Sequence, residues 1–176
     1  MQPNWDDRAA FCTVCGAPLE VREVFGARRK TCTACDYIQF RSPACAAAAV
    51  VARGREIVLV RRAIEPYQGQ WGLPAGFQDY WETPEEAAIR EVREETGLEV
   101  HISRLLDVWY NRDDPRKRAN VAVYLARPVA GALRASDDAS DAGFFSLERL
   151  PEKIAFENNQ TILRRLLREF PTGDIQ

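Results

Sequence analysis

Residues Gly76–Leu98 read GFQDYWETPEEAAIREVREETGL, and the rest of the chain is best understood outward from them. Thr83 is a good N-cap, Pro84 suits the first helical position, and Glu86 completes a capping box. Gly97 suits the residue just past a helix end. These signals predict a helix from about Pro84 to Thr96. At ~100° per residue, Ala88, Ile89, Val92 and Thr96 form a stripe facing a core. Glu91, Glu94 and Glu95 form the next stripe, at the edge of that buried face.

This is a poor place for three acids. Glu91 and Glu95 are a like-charged i,i+4 pair, which costs about 0.2–0.5 kcal/mol. Glu94 and Glu95 lie in the last turn, where the helix dipole disfavours negative charge by roughly 0.3–1 kcal/mol each. A hard divalent cation reverses both penalties, and oxygen ligands suit Mg²⁺ or Mn²⁺. A merely solvated acidic face is the alternative.

The 176 residues and 19.9 kDa suit one ordinary domain plus a small appendage. Net charge is −2 and the pI about 5.6, so the chain as a whole is not built as a nucleic-acid binder. The longest apolar run, Cys45 to Ala52, is too short to span a bilayer. No cationic N-terminus precedes an apolar stretch, so a cytoplasmic location without membrane contact is expected.

Cys12, Cys15, Cys32 and Cys35 form CTVCG and CTACD, a CxxC pair repeated after sixteen residues. Two short turns that each present two thiolates meet the four-ligand demand of tetrahedral Zn²⁺. Leu19 to Val24 reads as a strand, Gly26 as a turn, and Arg28 to Thr31 as the return strand. The layout is that of a zinc ribbon over residues 8–42. A unit this small buries too little apolar surface to fold alone, and zinc contributes about 10–16 kcal/mol to such folds. With all four ligands cysteine, the metal is expected to be structural. Redox or disulfide pairing is the alternative. Cys45 lies outside the pattern and reads as a buried core thiol. Arg22, Arg28, Arg29 and Lys30 make the ribbon basic, with Phe11, Tyr37 and Phe40 among them. Stacking on single-stranded nucleic acid is the less favoured reading. A solvated face over a small ribbon core is the more favoured one.

Ser42-Pro43 breaks the chain after the ribbon. Ala46 to Val51 and Ile57 to Arg62 read as strands joined by a turn at Arg53-Gly54-Arg55. Leu98 to Tyr110 reads as one long strand or two short ones, and Val121 to Arg127 and Gly143 to Ser146 as further strands. Asn111 to Arg118 is a polar loop. Asn158 to Phe170 carries Ile162, Leu163, Leu166, Leu167 and Phe170 at helical spacing. Strands with two helices indicate an α+β or sandwich arrangement.

The stretch resembles the Nudix box at every defining position. Gly76 is followed after five residues by Glu82. Seven more lead to Arg90-Glu91-Val92, then Arg93, Glu94-Glu95, Thr96, Gly97 and Leu98. The resemblance implies a Nudix domain over residues 44–170, an α/β/α sandwich with a mixed sheet carrying the box as loop–helix–loop. It implies hydrolysis of a nucleoside diphosphate linked to another moiety X. By position, Glu91, Glu94 and Glu95 resemble the family's metal ligands, and the Ala75 carbonyl its backbone ligand. Arg90 resembles the arginine that orients the box glutamates, and Glu82 the loop acid. Either Glu94 or Glu95 resembles the acid that positions the attacking water. In other members a later acid does so, and Asp138 and Asp141 stand near its place. Such chemistry needs no nucleophilic serine or histidine, and His101, the lone histidine, reads as a structural strand residue.

A zinc ribbon ahead of such a box is similar to the NADH pyrophosphatase group, but that group's SQPWPFP-type motif is absent. Leu105 to Asn111 reads LLDVWYN instead. The layout, and the tail IAFENNQTILRRLL, look closer to zinc-ribbon members that cleave ADP-ribose or FAD and release AMP. Pro115 sits near the distance beyond the box at which ADP-ribose hydrolases carry a proline. NADH and capped RNA are the alternative substrates. A nucleotide-sensing module without turnover is the alternative of another class. Tyr67, Trp71, Trp81 and Trp109 are candidates for stacking on a ring, with core packing the competing role for each. Arg61, Arg62, Arg112, Arg116, Lys117 and Arg118 are candidates for phosphate contact. The substrate-contact set taken forward is Arg62, Tyr67, Trp71, Arg112 and Asp141. A homodimer is implied by the family alone.

Overall fold

The structure is a computed structural model and describes residues 5–114 and 117–175. Pro115 and Arg116, named above, lie outside the described residues. The described residues fall into two compact units, one reaching Pro43 and including Lys117, the other formed by Ala44–Asp114 and the residues from Arg118 onward.

The first unit holds a short helix α1 (Trp5–Arg8) and three strands, β1 (Leu19–Val24), β2 (Ala27–Cys32) and β3 (Ile38–Gln39). They form one antiparallel sheet in the order β1-β2-β3. Gly26 takes the turn at φ +68°, a left-handed conformation that suits glycine. The ribbon hairpin stands where the sequence places it, whereas α1 and β3 are too short to leave a periodic signal.

The second unit is built from β4 (Ala44–Arg53), β5 (Glu56–Arg62), β6 (Trp71–Gly72), β7 (Ala75–Phe77), α2 (Pro84–Thr96), β8 (Leu98–Asn111), β9 (Ala119–Gly131), β10 (Ala139–Ser146) and α3 (Glu157–Glu169). The main sheet runs β10-β5-β4-β9-β8, with β6 on β5 and β7 on β4. The β4–β9 pair is parallel and the others are antiparallel, so the sheet is mixed. Leu98 to Asn111 is one strand, interrupted by register shifts.

Strand β4 explains the layering. Ala46, Ala48, Val50 and Ala52 face a core completed by Ile162, Leu163 and Leu166 of α3. Ala49 and Val51 face a second core with Val92 of α2, and Ala47 packs with Ala87 and Ala88. Alternation in a strand covered on both faces gives the near-continuous apolar run seen in the sequence. Helices on both faces make an α/β/α sandwich. Full burial of a residue such as Val92 contributes roughly 1.5–3 kcal/mol.

Two expectations are corrected. Cys45 is exposed, not buried. It shares the face of Ala47, Ala49 and Val51 but lies one pair before the first of them, near the start of β4. The buried face of α2 is also wider than the predicted stripe. Ala87, Glu91 and Glu95 are buried with Ala88, Val92 and Thr96, while Ile89 packs partly buried at the margin. No helix among the described residues is long and apolar enough to cross a membrane.

Candidate active site and metal centres

In the ribbon the four cysteine sulfurs lie within 4.8 Å of one another. Measured pairs are 3.7 Å for Cys12–Cys35, 3.4 Å for Cys15–Cys32 and 3.6 Å for Cys15–Cys35. A tetrahedron with Zn–S bonds of about 2.3 Å has edges of about 3.8 Å, so the sulfurs already frame such a site. All five cysteines are free thiols, which goes against disulfide pairing. Backbone amides point at the sulfurs, Val14 N–H to Cys12 at 3.4 Å and Ala34 N–H to Cys32 at 3.3 Å. The Ala34 amide is the main cause that brings the Cys32 thiol down to about 6. Zinc requires the thiolate, and Cys32 is poised for it, whereas Cys15 is raised and Cys35 is pushed up to about 12, chiefly by its hydrogen bond with Cys32.

The second site grows from the loop between β7 and α2. Thr83 caps α2 as the sequence predicts. Its hydroxyl accepts the Glu86 N–H at 3.2 Å, and the Glu86 carboxylate accepts the Thr83 N–H at 2.8 Å. Gly97 closes the helix at φ +68°, with its N–H on the Arg93 carbonyl. With both ends fixed, the acids of α2 project back towards β7.

Arg90 binds the cluster together. Its Nε donates to Glu82 Oε1 at 2.6 Å and its Nη2 to Glu82 Oε2 at 3.0 Å, a two-pronged pairing. Nη2 also donates to the Phe77 carbonyl at 3.0 Å. Nη1 donates to Glu91 Oε1 at 2.7 Å and to Glu94 Oε2 at 2.9 Å. All five N–H donors of the guanidinium are therefore engaged. Hydrogen bonding to Arg90 is the main cause holding the Glu82 carboxyl below its ordinary range.

Glu95 is only 2% exposed and accepts the Ala75 N–H at 3.1 Å. Burial, then its hydrogen bond with Asp138, pushes the Glu95 carboxyl well above the ordinary range. Glu91, 8% exposed, is raised chiefly by burial. Gly76 is required by this packing, because a Cβ there would stand 2.1 Å from Glu91 Oε1. Asp138 is carried in by the segment after β9. Ser136 N–H donates to the Glu95 carbonyl at 3.2 Å, Arg134 N–H to the Thr96 carbonyl at 2.9 Å, and Ala63 N–H to the Asp138 carbonyl at 2.7 Å.

Of the two later acids named from the sequence, Asp138 therefore joins the glutamates. Asp141 is exposed on edge strand β10, its carboxylate accepting the Ala142 N–H. The other substrate candidates separate as well. Arg62 donates to the Pro66 carbonyl at 2.7 Å and lies over the Phe156 ring, which Tyr67 meets edge-on at 4.9 Å. Phe156, not singled out in the sequence, thus joins Arg62 to Tyr67. Trp71 packs against the main core and the Phe145 ring. Trp109 packs there too, its indole N–H buried without a partner among the described residues. Arg112 lies over the Tyr110 ring, and Trp81 is 80% exposed.

Comparison with known proteins identifies the family. The family model described as the NUDIX domain matches residues 42–167. An ADP-ribose pyrophosphatase of Methanocaldococcus jannaschii is 39% identical over 127 residues, 72% of this chain and 75% of that protein. An NAD-capped RNA hydrolase, NudC, of Stutzerimonas stutzeri is 27% identical over 93% of this chain, and the match spans 56% of its own length. Among solved structures, a Nudix hydrolase from Nitrosomonas europaea superposes with a TM-score of 0.84 at 26% identity, over 93% of each chain. The chain therefore belongs to the Nudix family and is a pyrophosphohydrolase.

Proposed function

We propose that the substrate is ADP-ribose, cleaved at its pyrophosphate bond to AMP and ribose 5-phosphate. The reaction is supported by the way Arg90 fixes Glu82, Glu91 and Glu94 around buried Glu95. The choice of substrate is supported by the 39% identity to an ADP-ribose pyrophosphatase. FAD is the next candidate on the sequence reading.

The donor set is oxygen throughout, which fits a hard divalent cation. Glu91, Glu94, Glu95 and the Ala75 carbonyl would hold Mg²⁺ or Mn²⁺. When bound, the cation supplies charge neutralisation for the diphosphate and lowers the pKa of a bound water. Among the described residues only the cysteines bring three ligand atoms within 4.8 Å, and Arg90 pairs with Glu91 and Glu94. Arg90 acts as a positioning residue, holding one oxygen of Glu91 and one of Glu94. Glu82 keeps Arg90 aligned. Glu95 and Asp138 share a hydrogen bond, and one of the pair takes the proton of the attacking water. The water oxygen bonds to phosphorus as the bridging P–O bond breaks. Arg62 and Tyr67, gathered on Phe156, are the substrate contacts we retain first. Residues 8–42 would form a structural zinc ribbon and 44–170 the catalytic domain.

A second reading, hydrolysis of NAD-capped RNA or NADH, is favoured by one observation. The alignment to NudC runs over 166 residues and so must extend into the first 43. Incubating the protein with ADP-ribose, FAD, NADH and NAD-capped RNA, with and without Mg²⁺ or Mn²⁺, separates these readings. Metal-dependent AMP from ADP-ribose, reduced at least about 100-fold in Glu95→Gln, is the expected result. Turnover of capped RNA alone would overturn the substrate assignment. Turnover undiminished in both Glu94→Gln and Glu95→Gln would overturn the site. Gel filtration of the same sample tests the homodimer that the family implies.

A further inference from the structure

The ribbon carries a groove of about 400 Å³ that the hydrolase reading leaves without a role. Its lining includes four cations, Arg28, Arg29, Lys30 and Arg41, with one acid, Asp7. This concentration of positive charge stands in a chain whose net charge is −2. Lys30 is anchored on two backbone carbonyls, Asp7 at 2.8 Å and Ala9 at 2.6 Å. Arg29 is likewise anchored on the Phe25 carbonyl at 3.4 Å and on that of Val24. A carbonyl orients a cation without neutralising it. Asp7 pairs with Arg41 at 3.1 Å, and Glu23 is the cross-strand partner of Arg28.

The groove also offers apolar surface. Phe40 is 57% exposed and Val21 51% exposed. The Arg29 guanidinium lies 5.2 Å from the centre of the Phe40 ring, forming a stacked cationic platform. Arg28 and Lys30 lie on one face of β2, about 7 Å apart along the strand. That spacing is of the same order as neighbouring phosphates on a nucleic-acid chain. A row of cations beside an exposed aromatic is the combination that holds an unpaired strand, phosphates on the cations and a base on the ring. A duplex presents no free base faces to Phe40.

We propose that this groove binds single-stranded nucleic acid. The sequence alone favoured a solvated face, because it could not show these side chains lining one groove. The inference does not rest on the catalytic reading. A 5′-hydroxyl oligonucleotide has no pyrophosphate to cleave, so its binding stands or falls separately.

The test is fluorescence anisotropy of a labelled single-stranded RNA, with zinc-replete full-length protein, across a salt series. Arg28→Gln/Arg41→Gln and Phe40→Leu are compared with wild type, and zinc content shows that the ribbon is folded. Wild type is expected to bind at low salt. The double variant should weaken binding at least 10-fold and flatten the log–log salt slope by roughly 1.4, about 0.7 for each lost phosphate contact. Phe40→Leu should weaken binding with the slope unchanged. Turnover of ADP-ribose should not change in these variants. The proposal is overturned by any of three results: no binding by wild type, equal affinity and slope in the double variant, or equal affinity for a duplex.

Discussion

In the ribbon, four sulfurs lie within 4.8 Å of one another, and the Ala34 amide favours the ionised form of Cys32. On α2 the Arg90 guanidinium gathers the Glu91 and Glu94 carboxylates, and burial raises the pKa of Glu91 and Glu95. One site is closed by four protein ligands of one kind. The other is open, strained by burial and braced by a cation of the protein's own. The contrast follows the division between structural metals, which stabilise a fold, and catalytic metals, which need room for water and substrate. We read the ribbon as the first and α2 as the second.

The largest test removes one ligand from the closed site. Cys32→Ser should abolish stoichiometric zinc, measured by elemental analysis, and make residues 8–42 sensitive to protease. The effect is large because zinc contributes about 10–16 kcal/mol to such units. Retention of one zinc per chain would break the comparison from the ribbon's side.

The next removes the brace. Arg90→Met leaves Glu82, Glu91 and Glu94 without their shared counter-charge and should cost about 3 kcal/mol, read by denaturant unfolding. Added Mg²⁺ should recover part of that loss, because a bound cation takes over the same charges. A loss that Mg²⁺ does not touch would mean Arg90 serves packing alone.

Gly76→Ala is expected to cost roughly 1–3 kcal/mol, since its Cβ must push the Glu91 carboxylate aside. Turnover should fall further than stability does. Unchanged kcat would show that the position of Glu91 is not critical.

The smallest effect is one of pH. Glu95 binds its proton more tightly in the metal-free fold than in the unfolded chain, where a glutamate titrates near about 4.3. Its contribution to stability is present below that value and lost as pH rises towards the folded value. Without Mg²⁺, wild type should therefore lose stability relative to Glu95→Gln as pH rises from 5 to 7. Mg²⁺ should narrow the gap. Parallel pH profiles would count against an uncompensated carboxyl at this position.

The caps of α2, the ribbon hairpin and the alternating strands were legible because their signals are local. Thr83, Glu86 and Gly97 act on neighbours within a few residues, and hydrophobic periodicity depends only on the element's own geometry. The box itself was legible as a spaced pattern, and the structure supplies one reason for it in the contact between Gly76 and Glu91. What escaped the sequence depends on chain paths set elsewhere. Asp138 and Asp141 could not be ranked, because the choice is made by hydrogen bonds tying residues 134–136 to the end of α2. Cys45 looked like core because its alanine neighbours are core, and only the folded strand shows that burial begins at Ala46. The depth of Glu95 was misjudged for a related reason. A helical wheel gives direction, whereas burial also depends on what β7 and Asp138 bring against that face.

The most direct test of the catalytic site is a Mn²⁺ titration of zinc-replete protein, followed by electron paramagnetic resonance, in wild type, Glu91→Gln and Glu95→Gln. If these carboxylates hold the catalytic cation, wild type binds Mn²⁺, each variant binds it at least about 10-fold more weakly, and zinc content stays constant. Equal Mn²⁺ affinity in all three proteins would contradict the assignment of α2 as the metal site.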